Sequence, residues 1–179
     1  MTAFLLRMPA GIPGECTRGW GNSIIETQII TPSGTTGAPT AYGVPLVVDS
    51  TAGNVGNMRV VGTQSGDTAL QGIVPYGLLI RPFPTQSSTW PTDALGTSVP
   101  PASGPCDVMK SGYATVLLSG TSAAVKGGPV YIWTAAASGA HIVGGFEATN
   151  PTSNGIAWPG AYFMGPADAS NNVEISVNS

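Results

Sequence analysis

Charged side chains are scarce in this sequence: Asp, Glu, Lys and Arg make up only 8% of its 179 residues, about a third of the usual share in soluble domains. The six Lys and Arg residues stand singly, and the formal net charge is −3. Because a surface that binds nucleic acid needs a cluster or stripe of cations, we expect no direct contact with nucleic acid. A surface with so little charge to desolvate favours burial in an assembly.

Cysteine and histidine are almost absent. Cys16 and Cys106 are too few for a disulfide framework and match no zinc spacing, so we expect free thiols made in a reducing compartment. His141 is the single histidine, and it would have to serve alone as the base for any nucleophile. No Gly-x-Ser-x-Gly motif flanks a serine. The sequence therefore predicts no catalytic site, no cofactor and no metal.

Long apolar runs are also missing. The N-terminal stretch MTAFLLRMPAG has no basic segment at its start and is interrupted by Arg7, unlike a secretory signal. Nothing approaches an apolar run of about 18 residues. We expect no membrane segment and synthesis in the cytoplasm.

Glycine and proline, by contrast, are abundant, at 25 and 16 residues. Their placement leaves residues 22–31 as the longest interior run without either, so helices of average length scarcely fit. Residues 172–177 alternate polar and apolar side chains with a period of two, which is typical of a strand. The pattern predicts an all-β protein: a single-domain barrel or jelly-roll-like sandwich of about eight to ten short strands.

The predicted domain occupies residues 22–179, with a long loop at 84–105, and residues 1–21 precede it as an extended N-terminal arm. The arm mixes large apolar side chains with Gly and Pro and fits neither a helix nor a regular strand. It must lie across its own domain or on a neighbouring subunit, and we favour the neighbour. The loop, rich in Pro, Ser and Thr, either contacts a partner or is a plain surface loop, which would leave Trp90 exposed.

Two weaker signals for a site remain. Glu26, Glu147 and Glu174 lie in or near predicted strands, and glycosidase chemistry asks for only two carboxylates; exposed strand faces carry such charges without any catalytic role, and we do not expect an enzyme. The four tryptophans could form a sugar-stacking platform, but core or interface positions fit them better: Trp20, Trp90, Trp133 and Trp158.

Several short motifs, in their order along the chain, resemble the tailed-bacteriophage head decoration proteins, also called structural cement proteins. They are GIPG at 11–14 followed by Arg18, YGVP at 42–45, YGLLIRP at 76–82, GY at 112–113 before VLL at 116–118, VKGGPVY at 125–131, GGFE at 144–147, GAYFMGPAD at 160–168 and NVEI at 172–175. Each motif alone is a Gly or Pro turn beside apolar residues, and their order carries the resemblance.

The resemblance implies a β-barrel or jelly-roll-like body on the outer surface of the virion, made in the host cytoplasm. Such a body would be a dimer or trimer that stabilises the expanded head by bridging subunits of the major capsid protein, with no catalytic residues. The implied shell contacts are the arm, at residues 4–13, and part of the long loop, at 85–101. The candidate partner-binding residues are therefore Phe4, Leu5, Leu6, Met8, Ile12, Pro13 and Trp90. A phage tail, fibre or carbohydrate-binding adhesin module is the alternative.

Overall fold

Nine β-strands form almost all of the regular structure in the computed structural model, which describes residues 11–19, 21, 23–31, 37–48, 55–57, 75–82 and 99–179. The strands are β1 (Ile24–Ile30), β2 (Pro45–Val48), β3 (Val55–Asn57), β4 (Gly77–Ile80), β5 (Gly104–Leu117), β6 (Pro129–Trp133), β7 (Phe146–Glu147), β8 (Gly155–Phe163) and β9 (Asn172–Asn178). One 3-10 turn, Thr152–Asn154, precedes β8, and the described ranges contain no α-helix. The all-β prediction is confirmed, and nine strands fall within the predicted eight to ten.

Five of the strands close into a barrel. β5 pairs antiparallel with both β1 and β4, β4 pairs with β2, β2 with β3, and β3 returns to β1 in a short parallel contact. Side chains that point inward form the barrel core: Ile30, Tyr42, Leu46, Val55, Leu79, Cys106 and Val108.

The long strand β5 leaves the barrel halfway along its length. Its first half pairs with β1 and β4, and its second half pairs with β9, which continues the sheet in the order β9, β8, β6, β7. The β1 to β5 register skips Lys110, so a bulge lies at the exit point. Gly112 follows with a φ of 144°, and a Cβ there would lie 2.5 Å from the Ser23 hydroxyl oxygen. Glycine is therefore required where β5 changes sheets.

A second and larger core packs between the barrel wall and the sheet of β9, β8, β6 and β7, here called the outer sheet. All four residues of β4 are buried: Leu79 faces the barrel core, whereas Leu78 and Ile80 belong to the second core. Burial on both faces explains why this strand has a continuous apolar sequence. From the opposite side of this core, β9 contributes three alternate residues, Val173, Ile175 and Val177. Val173 is fully buried. The alternation predicted for residues 172–177 is confirmed.

β5 begins at Gly104, so the last residues of the predicted 84–105 loop belong to a strand. Of that loop, residues 99–105 are described and the rest lies outside the described ranges. Within the described residues, the structure contains no helix long and apolar enough to cross a membrane.

Candidate functional site

Residues 11–19, here called the anchor segment, lie against the second half of β5. The Gly14 amide donates to the Thr115 carbonyl oxygen (2.8 Å), and the Thr115 amide donates to the Glu15 carbonyl oxygen (3.0 Å). The Thr17 amide extends this ladder to the Tyr113 carbonyl oxygen (2.9 Å). The described part of the predicted arm thus pairs like a strand with its own domain.

The anchor segment is also attached to the end of β4 through Arg81. The Arg81 amide donates to the Gly14 carbonyl oxygen, and its Nε donates to the Pro13 carbonyl oxygen, both at 2.8 Å. The guanidinium lies 4.8 Å from the centre of the Tyr42 ring. Burial lowers the pKa of Arg81 and raises the pKa of Tyr42. The anchor segment therefore joins the barrel to the outer sheet.

A carboxylate on β9, that of Glu174, binds the last residues of the anchor segment. Arg18 Nε and a terminal guanidinium nitrogen bind the two Glu174 carboxylate oxygens at 3.0 and 2.7 Å, and the Thr17 hydroxyl donates to the first of them at 2.5 Å. Arg18 also lies 4.2 Å above the Tyr113 ring. The hydrogen bond that Arg18 donates to Glu174 raises the pKa of Arg18. Because this pair faces solvent, it fixes geometry more than it adds stability.

The candidate partner-binding residues divide into two groups. Ile12 and Pro13 lie in the anchor segment and are half-buried, so the structure places them at the root of the predicted arm. The other five lie outside the described residues: Phe4, Leu5, Leu6, Met8 and Trp90. The sequence could not indicate how this segment attaches to its own domain, because Arg81, which donates to the Pro13 carbonyl oxygen, and Thr115, which bonds to Gly14, are distant in the chain.

Large apolar side chains stand in solvent on several described strands and turns. They include Ile24, Ile29, Val48, Val99, Leu117, Val125, Ile142 and Tyr162. Two of them, Ile24 and Ile29 on β1, are 61% and 53% exposed. Exposed apolar surface combined with scarce charge is typical of a surface that meets another protein.

The three glutamates considered for catalysis are each bound to partners of their own. Buried Glu147 accepts from the Ser119 hydroxyl and pairs with His141 Nδ1, both at 2.9 Å. Glu26 accepts from the Tyr76 hydroxyl at 2.5 Å, and Glu174 binds the anchor segment. Over the described ranges, no three His, Cys, Asp or Glu side chains cluster in a way that could hold a metal. These contacts fix loops and strands to each other.

The described tryptophans offer no platform for a sugar. Trp158 is 2% exposed and stacks on Phe146, and Trp133 is buried and stacks on His141. Both fit the predicted core positions, whereas Trp20 and Trp90 lie outside the described residues.

Cys16 and Cys106 form no disulfide within the described part of the chain. Burial in the barrel raises the pKa of Cys106 to about 11.

Comparison with known proteins finds a matching family model and matching chains in solved structures. A family model described as XM1 gp53 minor capsid protein matches residues 1–177. A chain in the solved capsid of the Myoviridae phage XM1 has a similar fold, with a TM-score of 0.64 and 18% sequence identity, over 99% of this chain and 96% of that one. No curated protein matches the sequence.

Proposed function

Because the chain belongs to the XM1 gp53 minor capsid protein family, we propose that it binds the outside of a bacteriophage head and stabilises the expanded shell by bridging neighbouring major capsid subunits. A capsid protein of this family is a component of the virion. The family match over residues 1–177 is the observation that carries the proposal. The chemistry of the surface supports it.

A clamp between subunits works by mass action. If the protein binds the expanded shell and not the unexpanded one, each site stabilises the expanded shell by RT ln(1 + [L]/Kd). This is about 2.7 kcal/mol at a free protein concentration one hundred times Kd. A protein with 8% charged residues gains this energy mainly from apolar contact, so the attachment should depend little on salt.

We assign the shell contact to the residues that precede the anchor segment, namely Phe4, Leu5, Leu6 and Met8, together with Trp90 in the long loop. Ile12 and Pro13 form the root of the arm. Arg81 Nε donates to the Pro13 carbonyl oxygen, and the neighbouring Gly14 bonds to Thr115 and Arg81, so a force on the arm would be transmitted to both cores. In this proposal residues 1–21 remain the arm, 22–179 the domain, and the contact uses neither nucleic acid nor a cofactor.

The proposed role includes no reaction. The three glutamates considered for catalysis bind structural partners, and His141 is bound to buried Glu147. We further propose that the protein works as a homo-oligomer, because a bridge across subunit boundaries is strengthened by several linked contacts.

The test is binding of purified protein to expanded and unexpanded heads that lack it. Full-length protein should bind expanded heads, and a variant with Phe4, Leu5, Leu6 and Met8 replaced by Ser should bind at least about tenfold more weakly, a loss of ~1.4 kcal/mol. That variant keeps every hydrogen bond of the anchor segment and should remain folded by circular dichroism. A Val48→Ser variant, also missing an exposed apolar side chain, is the control and should bind normally.

Absence of binding to both kinds of head would contradict the proposal. If the quadruple variant instead fails to fold, the apolar arm residues belong to the core of their own domain. Glycan binding that Trp90→Ala abolishes, without binding to heads, would support the adhesin alternative.

A further inference from the structure

An apolar cavity of about 150 Å³, here called the proline groove, lies beside the start of β5 and reaches the barrel core residues Tyr42 and Cys106. Its lining residues are Thr27, Tyr42, Ile80, Pro82, Pro101, Pro105, Cys106 and Asp107. Pro82, Pro101 and Pro105 are exposed, and Ile29, half in solvent, stands opposite Pro105 in the β1 to β5 register. Each proline has a fixed φ angle, so these three residues lose less conformational freedom on binding than other residues would.

One carboxylate lies in this groove. Asp107 is half-buried and accepts a long hydrogen bond, 3.4 Å, from the Thr27 hydroxyl. Across the described ranges, no cationic side chain forms an ion pair with it. A partner that fits the groove therefore carries an apolar side chain next to a cation.

The chain itself displays such a pair on a rigid turn. Val125 is 63% exposed, and Lys126 beside it is exposed. The Gly128 amide donates to the Val125 carbonyl oxygen (3.0 Å) and Gly127 has a φ of 77°, as in a type II turn. The Gly127 amide also donates to the Phe163 carbonyl oxygen (2.7 Å), which fixes the turn to β8. Lys126 forms no ion pair with the described part of the chain.

We propose that the Val125–Lys126 turn of one copy docks in the proline groove of a second copy. Val125 enters between the prolines, and Lys126 pairs with Asp107. Both surfaces have fixed backbones, so docking orders few side chains. The ion pair sits at the rim of an apolar contact and sets the register and the partner, while the apolar contact supplies most of the affinity.

The two surfaces are different patches of the molecule. The groove lies beside the start of β5 in the barrel, and the turn adjoins β8 in the outer sheet. A contact between unlike patches forms a two-fold dimer when two copies exchange both contacts, and otherwise it repeats head to tail into a ring or an open chain. The docking therefore predicts self-association through these two patches. The docking rests on the proposed homo-oligomer and adds its contact surfaces. Its test uses no heads, so the docking and the proposed function can fail separately.

The experiment is sedimentation velocity of the full-length protein over a range of concentrations at low ionic strength. Lys126→Glu and Asp107→Lys should each weaken self-association by about tenfold or more, because each places like charges together. The double variant, with both changes in one chain, should recover it. Val125→Ser should also weaken self-association, whereas Ile142→Ser, which shortens another exposed apolar side chain on a turn, should leave it unchanged.

Circular dichroism and urea unfolding confirm that each variant is folded. If Asp107→Lys does not fold, Asp107→Asn replaces it and should weaken association and remove its salt dependence. A protein that stays monomeric at all concentrations, or single charge reversals that leave association unchanged, would overturn the inference. Normal binding of heads by a monomeric protein would do so while leaving the proposed function intact.

Discussion

Replacing Gly14 by alanine tests whether the anchor segment needs its close approach to the domain. Gly14 has a φ of 84°, and a Cβ there would lie 2.5 Å from the Tyr42 Cβ and 2.9 Å from the Gly43 amide nitrogen. Neither of these atoms can rotate away, because one belongs to the backbone and the other is attached to it. The chain would have to move, and with it the hydrogen bonds from Gly14 to Thr115 and Arg81.

Two costs add at this position. A left-handed conformation costs an alanine roughly 1–2 kcal/mol relative to glycine, and overpacking against atoms that cannot yield costs about 1–3 kcal/mol more. We therefore expect Gly14→Ala to lower the free energy of unfolding by ~2–5 kcal/mol.

Gly19→Ala is the matched control. Gly19 has a φ of 77°, close to that of Gly14, but nothing lies within 4 Å of the position its Cβ would take. It should show the conformational cost alone, roughly 1–2 kcal/mol.

Thermal and urea unfolding measure both variants against the unmodified protein. For a chain of this size, 1 kcal/mol shifts Tm by about 2–4 °C, so we expect a decrease of about 10 °C for Gly14→Ala and about 4 °C for Gly19→Ala. Equal decreases for the two variants would refute the close packing of the anchor segment against its own domain.

Two further changes probe the cores. Trp158→Ala should destabilise the protein by ~3–5 kcal/mol, because it empties a site that is 2% exposed and removes the stack on Phe146. Trp158→Phe keeps an aromatic ring and should lower the free energy of unfolding in urea clearly less. Similar losses for the two variants would argue against the stack. For Cys106, burial raises the pKa to about 11 from 9.0, so the unfolded chain loses its thiol proton first and stability should fall as pH rises from 9 to 11, by up to ~3 kcal/mol. Cys106→Ala should lack this part of the pH dependence, and an identical slope in both proteins would show that the thiol does not contribute.

The composition of this chain predicted its fold class for a local reason. Frequent Gly and Pro interrupt any helix, and the alternation at residues 172–177 places Val173, Ile175 and Val177 on one face wherever the strand lies. The pattern itself thus indicated which face of the strand is buried, and β9 has that face buried. Scarce charge likewise predicted a surface suited to contact, since composition alone decides how much charge a surface can carry.

The anchor segment shows what local pattern could not decide. Its apolar residues with Gly and Pro predicted an arm, but its pairing depends on Thr115, Arg81 and Glu174, which are brought near only when the sheets have formed. The Arg18 to Glu174 pair joins positions 156 residues apart, and no periodicity relates them.

The sequence by itself determined that this chain forms short strands with a weakly charged surface, because strand propensity and charge are properties of neighbouring residues. Tertiary structure alone decided that β5 serves two cores, that β4 is buried on both faces, and that the Val125 turn lies beside β8 whereas the proline groove lies beside the start of β5. These features depend on which distant strands pair, and that choice is made by the burial of apolar surface between segments far apart in the chain.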